Sequence, residues 1–343
     1  VTTTINPGAI VPFAEVAQLE RLSRSPLPLP PQILDIAQNI RRDLVSWAQD
    51  YPAVVHGRAG DILRWMPLCA AVSYDGAPYR TALEFARHCV VVFAYDDVLD
   101  EEIGEPNTLE GLQTLTQEWL RVLSGPAGKE EAVLPASGTG RLQQLLLALV
   151  DSMRRVMDSP EAQQHQERWQ ELWQQASTGM LQELAWRHRT VRQPDFVTYM
   201  RTARSSIAVE ATHWAAFITS APADVLPEET DLLISVLKRA GYIIRLANDL
   251  NTVERDHQSN AANALLLTVD RWSCSVSEAR ALLRKHLEQE LKRLFAVRAS
   301  IAPAITDHYG WIVRSTVFAC QWYLNRYELE LTPEDLRAID RTD

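Results

Sequence analysis

Glycine is scarce in this chain, 13 of 343 residues, and no Gly-rich phosphate loop of the Rossmann or Walker type occurs. The four cysteines, Cys69, Cys89, Cys274 and Cys320, form no CxxC pair, so neither a zinc knuckle nor a disulfide scaffold is implied. No apolar run reaches the roughly 18 residues of a membrane span. The first residues lack the charged-then-apolar pattern of a secretory signal. Basic residues are outnumbered, 34 Lys and Arg against 44 Asp and Glu, for a net charge of -10. Nucleic acid is held by clustered cations, so no such partner is expected. Alternating strand patterns with hairpin turns are missing too. What remains is a helical protein of a reducing compartment, expected in the cytoplasm. At 343 residues and 46% hydrophobic positions it is long enough for one large core.

Residues 1–31 read as an extended arm, because Pro26-Leu27-Pro28-Leu29-Pro30-Pro31 cannot be helical: proline lacks the amide hydrogen and restricts the residue before it. Residues 32–343 predict a single all-α domain. Ile33, Ile36, Ile40, Leu44 and Trp47 recur at three- and four-residue spacing, as do Leu142, Leu145, Leu146, Leu149 and Met153, and Leu282, Leu283, His286, Leu287, Leu291 and Leu294. Prolines such as Pro52, Pro67, Pro106, Pro194 and Pro227 are expected between helices, and 125–140 as a long inter-helix loop.

The first chemical signal is Asp96-Asp97-Val98-Leu99-Asp100-Glu101-Glu102. Phe85, Cys89, Phe93, Asp96 and Asp100 share one helical face, so an apolar stripe runs straight into two carboxylates. These acids repel one another with no basic residue among them. Two carboxylates one turn apart can share hard divalent ions, for which oxygen ligands with partial hydration suit Mg2+. A solvated acidic helix end is the alternative, against which stands the buried-looking run Val90-Val91-Val92-Phe93 immediately before it.

The second signal is Asn248, Thr252 and Asp256, spaced by four and projecting from one stripe. An amide oxygen, a hydroxyl and a carboxylate make a weak cage for one more hard cation. Arg245 and Arg255 stand beside it. Cations next to a metal site make sense when a multiply charged anion binds there too, and a diphosphate satisfies both clusters and the arginines together.

These two strings resemble the signatures of class I terpene synthases, the aspartate-rich DDxxD motif and the later (N/D)Dxx(S/T)xxx(E/D) motif. The resemblance implies a helical bundle around a central apolar cavity and a Mg2+-dependent enzyme, a lyase that ionises a prenyl diphosphate and guides the carbocation to a terpene. It implies three Mg2+ ions, two held in the first cluster (Asp96, Asp97, Asp100, Glu101) and the third by Asn248, Thr252 and Asp256. Arg255 stands where bacterial relatives place a diphosphate-binding lysine, and Arg326-Tyr327 looks like their diphosphate-gripping pair. Tyr199–Ala208 occupies the place of the family's sensor arginine and mid-helix break. Arg201 and Arg204 both fall near the sensor position, without the expected spacing, and Arg245 could share that duty. Asp256 replaces the usual glutamate and shortens the reach by one methylene. Phe93 and Trp322 are the first candidates for aromatic stabilisation of the cation.

The same segment and Asn263-Ala264-Leu265-Leu266-Leu267 resemble the bacterial kaurene-synthase-like group, which implies a diterpene synthase acting on a copalyl-type or geranylgeranyl diphosphate. A sesquiterpene synthase using farnesyl diphosphate and a non-catalytic helical binding protein are the alternatives. No DxDD acid motif is present for protonation-initiated cyclisation, and the Asn/Thr/Asp type of second site differs from the second aspartate-rich motif of chain-elongating prenyltransferases. Whether subunits pair as a homodimer stays open.

Overall fold

The computed structural model describes residues 31–55, 58–99, 117, 141–157 and 160–324. These form α1 (Pro31–Ala48), α2 (Arg58–Ser73), α3 (Tyr79–Leu99), α4 (Arg141–Val156), α5 (Pro160–Gln163) and α6 (Gln166–Arg187). They continue with α7 (Phe196–Ser206), α8 (Val209–Ile218), α9 (Pro227–Gln258), α10 (Ala264–Trp272), α11 (Val276–Ala296) and α12 (Thr306–Leu324). No strand occurs among the described residues, and none of their helices is long and apolar enough to cross a membrane. The arm, the 125–140 loop, Asp100, Glu101, Arg326 and Tyr327 lie outside the described residues.

Local chemistry accounts for most boundaries. α1 starts on Pro31, one residue earlier than the arm boundary, since the first helical position needs no amide donor. Its buried stripe of Ile33, Ala37, Ile40, Leu44 and Trp47 follows the helical period. Asp195 caps α7 by accepting from the Thr198 amide, and Ser275 and Glu278 form a reciprocal capping box at α11. Two expectations are corrected. Pro67 lies inside α2 rather than between helices; it forfeits one backbone hydrogen bond, and its neighbours Met66 and Leu68 are buried in the core. Leu282 is 53% exposed, one position off the buried Ala279–Leu283–Leu287–Leu294 stripe of α11.

α3 packs on α2, α4 and α8, and α9 packs on α7, α8, α11 and α12. Both are buried over most of their length, which fixes the two carboxylate-bearing helices in the interior rather than on a solvated rim.

Such burial also neutralises His88 on α3. Its Nδ1–H donates to the Glu84 carbonyl at 2.9 Å, its ring meets Trp169 edge-on, and desolvation lowers its pKa from 6.5 to about 4. The unfolded chain therefore binds this proton more readily. The stability it contributes is complete above pH 6.5 and is lost as the pH falls toward about 4. Between neutrality and about pH 5 the loss is about 2 kcal/mol. A His88→Phe protein is expected to lose about 2 kcal/mol less than the parent over that interval, measured by urea unfolding at both pH values.

Candidate active site

A cavity of about 360 Å³ opens between α2, α3, α6, α9 and α12. Met66, Phe85, Cys89 and Ile244 give it a largely apolar inner wall, which also holds His213 and Ser315, while Asp96, Asn248, Arg255 and Asp256 line it as well. Such a lining suits a ligand with an apolar body and a charged head. Phe93 and Trp322 both line it and are joined by Trp65, whose ring lies edge-on to Phe93 (centroids 5.7 Å apart) and stacked on Trp322 (4.5 Å). The three rings form one aromatic wall from three helices.

Of the first cluster, Asp96 lines the cavity and is half-buried. Asp97 does not: it is 1% exposed and is not part of the cavity wall, because one residue along a helix turns the side chain by about 100°. Asp96, and not Asp97, is thus the described acid of this cluster on the cavity wall.

The second cluster lies on the same cavity. Asn248, Thr252 and Asp256 all line it, as the four-residue spacing requires. Asp256 is 5% exposed and closely held: Thr252 Oγ1 donates to its Oδ2 at 2.5 Å, Asn263 Nδ2 donates to the same oxygen at 2.9 Å, and Arg255 donates twice to Oδ1 at 3.2 Å. Asn263 is itself fixed as the N-cap of α10, accepting from the Leu265 amide, and its Nδ2 also donates to the Asp249 carbonyl at 2.9 Å. Tyr323, next to Trp322 on α12, links the two clusters. Its hydroxyl hydrogen-bonds with the Asn248 side chain and feels the Asp96 charge, and burial first, then Asp96, pushes its pKa up to about 12. A neutral phenol thus spans the mouth.

The donor set fits a hard divalent cation. Asp96, Asn248, Thr252 and Asp256 offer only oxygen, and among the described residues no group of three or more His, Cys, Asp or Glu is arranged to hold a metal by itself. A cation bound at this mouth takes amide and hydroxyl oxygens together with carboxylates.

The arginines divide sharply. Arg245 lines the cavity, yet its guanidinium is committed to the protein: Nη2 donates to Glu183 Oε2 at 2.9 Å, Nε to Asp249 Oδ1 at 2.9 Å and Nε also to the Tyr199 hydroxyl at 3.1 Å. Tyr199 in turn donates to Asp249 Oδ2 at 2.8 Å. Asp249 is fully buried, and desolvation raises its pKa to about 6 even beside Arg245. Arg201 is exposed and Arg204 pairs with Glu210 at 3.4 Å; neither lines the cavity. α7 meets α9 closely at Gly241, where an added Cβ would sit 3.0 Å from the Arg204 carbonyl oxygen. Arg187, at the end of α6, does line the cavity, as does the half-exposed Arg255.

The helix break expected within Tyr199–Ala208 is present. α7 ends at Ser206, and Ala208 adopts φ 57°, a left-handed conformation that costs a non-glycine residue about 1–2 kcal/mol. Ile207 and Val209, on either side of the strained residue, line the cavity. Sequence reasoning missed Trp65, Glu183, Arg187 and Tyr323, and it named Asn263 without its cap or its hold on Asp256. Only Asn263, a cap type directly before an apolar run, carried a local signal of its structural position.

Comparison with known proteins agrees with this geometry. The family described as terpene synthase family 2, C-terminal metal binding, matches residues 87–293. The chain is 24% identical over 275 residues to dolabradiene synthase KSL4 of Zea mays, covering 76% of this chain and 30% of that protein. It is 24% identical over 305 residues to ent-isokaur-15-ene synthase of Oryza sativa subsp. indica, covering 81% and 34%. It thus spans about a third of the length of these curated relatives. The fold matches isoprene synthase of grey poplar (Populus x canescens) in complex with three Mg2+ ions and dimethylallyl-S-thiolodiphosphate, with TM-score 0.72 and 15% identity over 96% of this chain and 65% of that one. The family match extends over more than half of the sequence and contains both oxygen-donor clusters, so this chain belongs to the terpene synthase family.

Proposed function

We propose that this chain is a class I terpene synthase that ionises a prenyl diphosphate with Mg2+ and guides the carbocation to a terpene, using a C20 diphosphate of the geranylgeranyl or copalyl type. Residues 32–343 act as its catalytic domain. The observation that carries this reading is the convergence of Asp96, Asn248, Thr252 and Asp256 on the wall of one largely apolar, aromatic cavity. The C20 assignment is supported by the resemblance of the Tyr199–Ala208 segment and by likeness to dolabradiene and ent-isokaur-15-ene synthases.

Mg2+, three ions by analogy with the isoprene synthase complex, would be held by Asp96 with Asp100 or Glu101 and by Asn248, Thr252 and Asp256, and would stabilise negative charge on the departing diphosphate. Arg187 and Arg255 supply charged donors at the same mouth, and Arg326 and Tyr327 are assigned to the diphosphate by the resemblance. Thr252 and Asn263 hold Asp256 Oδ2 from two sides, which fixes the direction of its shorter side chain. Phe93, Trp65 and Trp322 line the cavity, where an aromatic face can stabilise a cation by about 0.5–2 kcal/mol. The apolar wall keeps water from quenching the cation.

Incubation with geranylgeranyl, copalyl and farnesyl diphosphates plus Mg2+, followed by solvent extraction, tests the reading. Diphosphate release with a terpene product from one of the C20 substrates is expected. Folded protein that yields nothing from any of the three overturns it, and product from farnesyl diphosphate alone replaces the C20 assignment.

A further inference from the structure

We propose that His213, through Ser315, is the base that takes the terminal proton from the carbocation at the inner end of the cavity; this rests on the terpene synthase reading above. His213 on α8 and Ser315 on α12 both line the cavity. His213 Nε2 lies 3.1 Å from Ser315 Oγ, and its Nδ1 lies 2.6 Å from the Tyr74 hydroxyl. Three distant segments thus meet in one buried row of polar groups, set against the Phe85 ring at 4.8 Å. Burial lowers the imidazole to about 3, so the ring is neutral, and with Nδ1 turned to Tyr74 its Nε2 faces Ser315 as an acceptor. The neighbouring thiols of Cys69 and Cys89 are held protonated by the same burial and are poor bases.

Position decides the role. Phe85 precedes Asp96 by eleven residues on α3, about 16 Å along the axis, and Ser315 precedes Tyr323 by eight on α12, about 12 Å. The row therefore lies beside the tail of a bound isoprenoid, beyond the reach of a diphosphate held at the mouth. A wall meant only to exclude water needs no imidazole. In the step itself, a C–H bond next to the cationic carbon breaks and its electron pair becomes the new C=C bond. The proton passes to Ser315 Oγ while the serine's own proton moves to His213 Nε2. Nδ1 carries the ring hydrogen throughout and donates it to the Tyr74 hydroxyl, which leaves Nε2 as the acceptor, while the serine hydroxyl rotates to donate. When product and diphosphate leave, entering water takes the proton back.

The experiment compares products of the parent, His213→Phe, Ser315→Ala and Tyr74→Phe enzymes from copalyl and geranylgeranyl diphosphates, expressed per diphosphate released so that overall rate does not enter. His213→Phe is expected to lower the share of the parent's main alkene at least tenfold, in favour of isomers with the double bond elsewhere or of alcohols. Ser315→Ala is expected to shift it in the same direction, and Tyr74→Phe less. An unchanged product ratio in folded His213→Phe and Ser315→Ala enzymes overturns the proposal while leaving the synthase reading intact. If His213→Phe does not fold, an unchanged ratio in Ser315→Ala overturns it alone. A parent enzyme that releases diphosphate only from farnesyl diphosphate moves the same comparison to that substrate, and one that releases none from any of the three ends both readings.

Discussion

An Asp96→Ala protein is expected to lose turnover by about a thousandfold or more while keeping its helical content. The reasoning starts from position. Asp96 is the described member of the acidic cluster that faces the cavity, and Asp97 beside it is turned into the protein body. Removing the carboxylate takes away an anionic oxygen that would anchor the divalent cations on this side of the mouth. A Lewis-acid contribution of several kcal/mol in the transition state corresponds to a factor of about a thousand in rate. The fold gives no reason for a large structural loss, because alanine is the better helix former and the site is only half-buried. Diphosphate release and far-ultraviolet circular dichroism, measured on the same preparation, separate the two effects. Retained turnover would displace Asp96 from its role, and lost helicity would show that it is structural.

Arg245→Met is expected to act mainly on stability, by about 3–5 kcal/mol, because it leaves buried carboxylates without their cation. Asp249 has no exposure and Glu183 is one-fifth exposed, and both lie 2.9 Å from the guanidinium. In a protein of this size the melting temperature should fall on the order of 10 °C. Pairing the change with Asp249→Asn should restore part of the loss, since the double variant no longer strands a full negative charge there. Strict additivity of the two single changes in thermal or urea unfolding would contradict the network. The same experiment bears on the role that proximity to the second motif suggested for Arg245. The guanidinium, bound by two carboxylates and a phenol, ties α6, α7 and α9 together beside Asn248.

The helices of this chain were readable because their signals are local. The stripe of α1, the caps at Asp195 and Ser275, and the four-residue steps of Asn248, Thr252 and Asp256 depend on neighbours within a turn. Pro67 broke the pattern because buried packing on both sides outweighs one lost hydrogen bond. Arg201 and Arg204 could be placed on a helix from their sequence, but that one is exposed and the other pairs with Glu210 follows from how α7 and α8 pack.

Fold class and the identity of the oxygen donors were therefore properties of the linear chain, since helical period and ligand spacing repeat within a few residues. Tertiary packing alone chose which members of each cluster reach the cavity. It excluded Asp97, tied Arg245 into the wall, and brought Trp65 between Phe93 and Trp322. It also joined Tyr74, His213 and Ser315, which stand far apart along the chain. Contacts of this kind are set by how whole helices cross, and no window of neighbouring residues records the crossing.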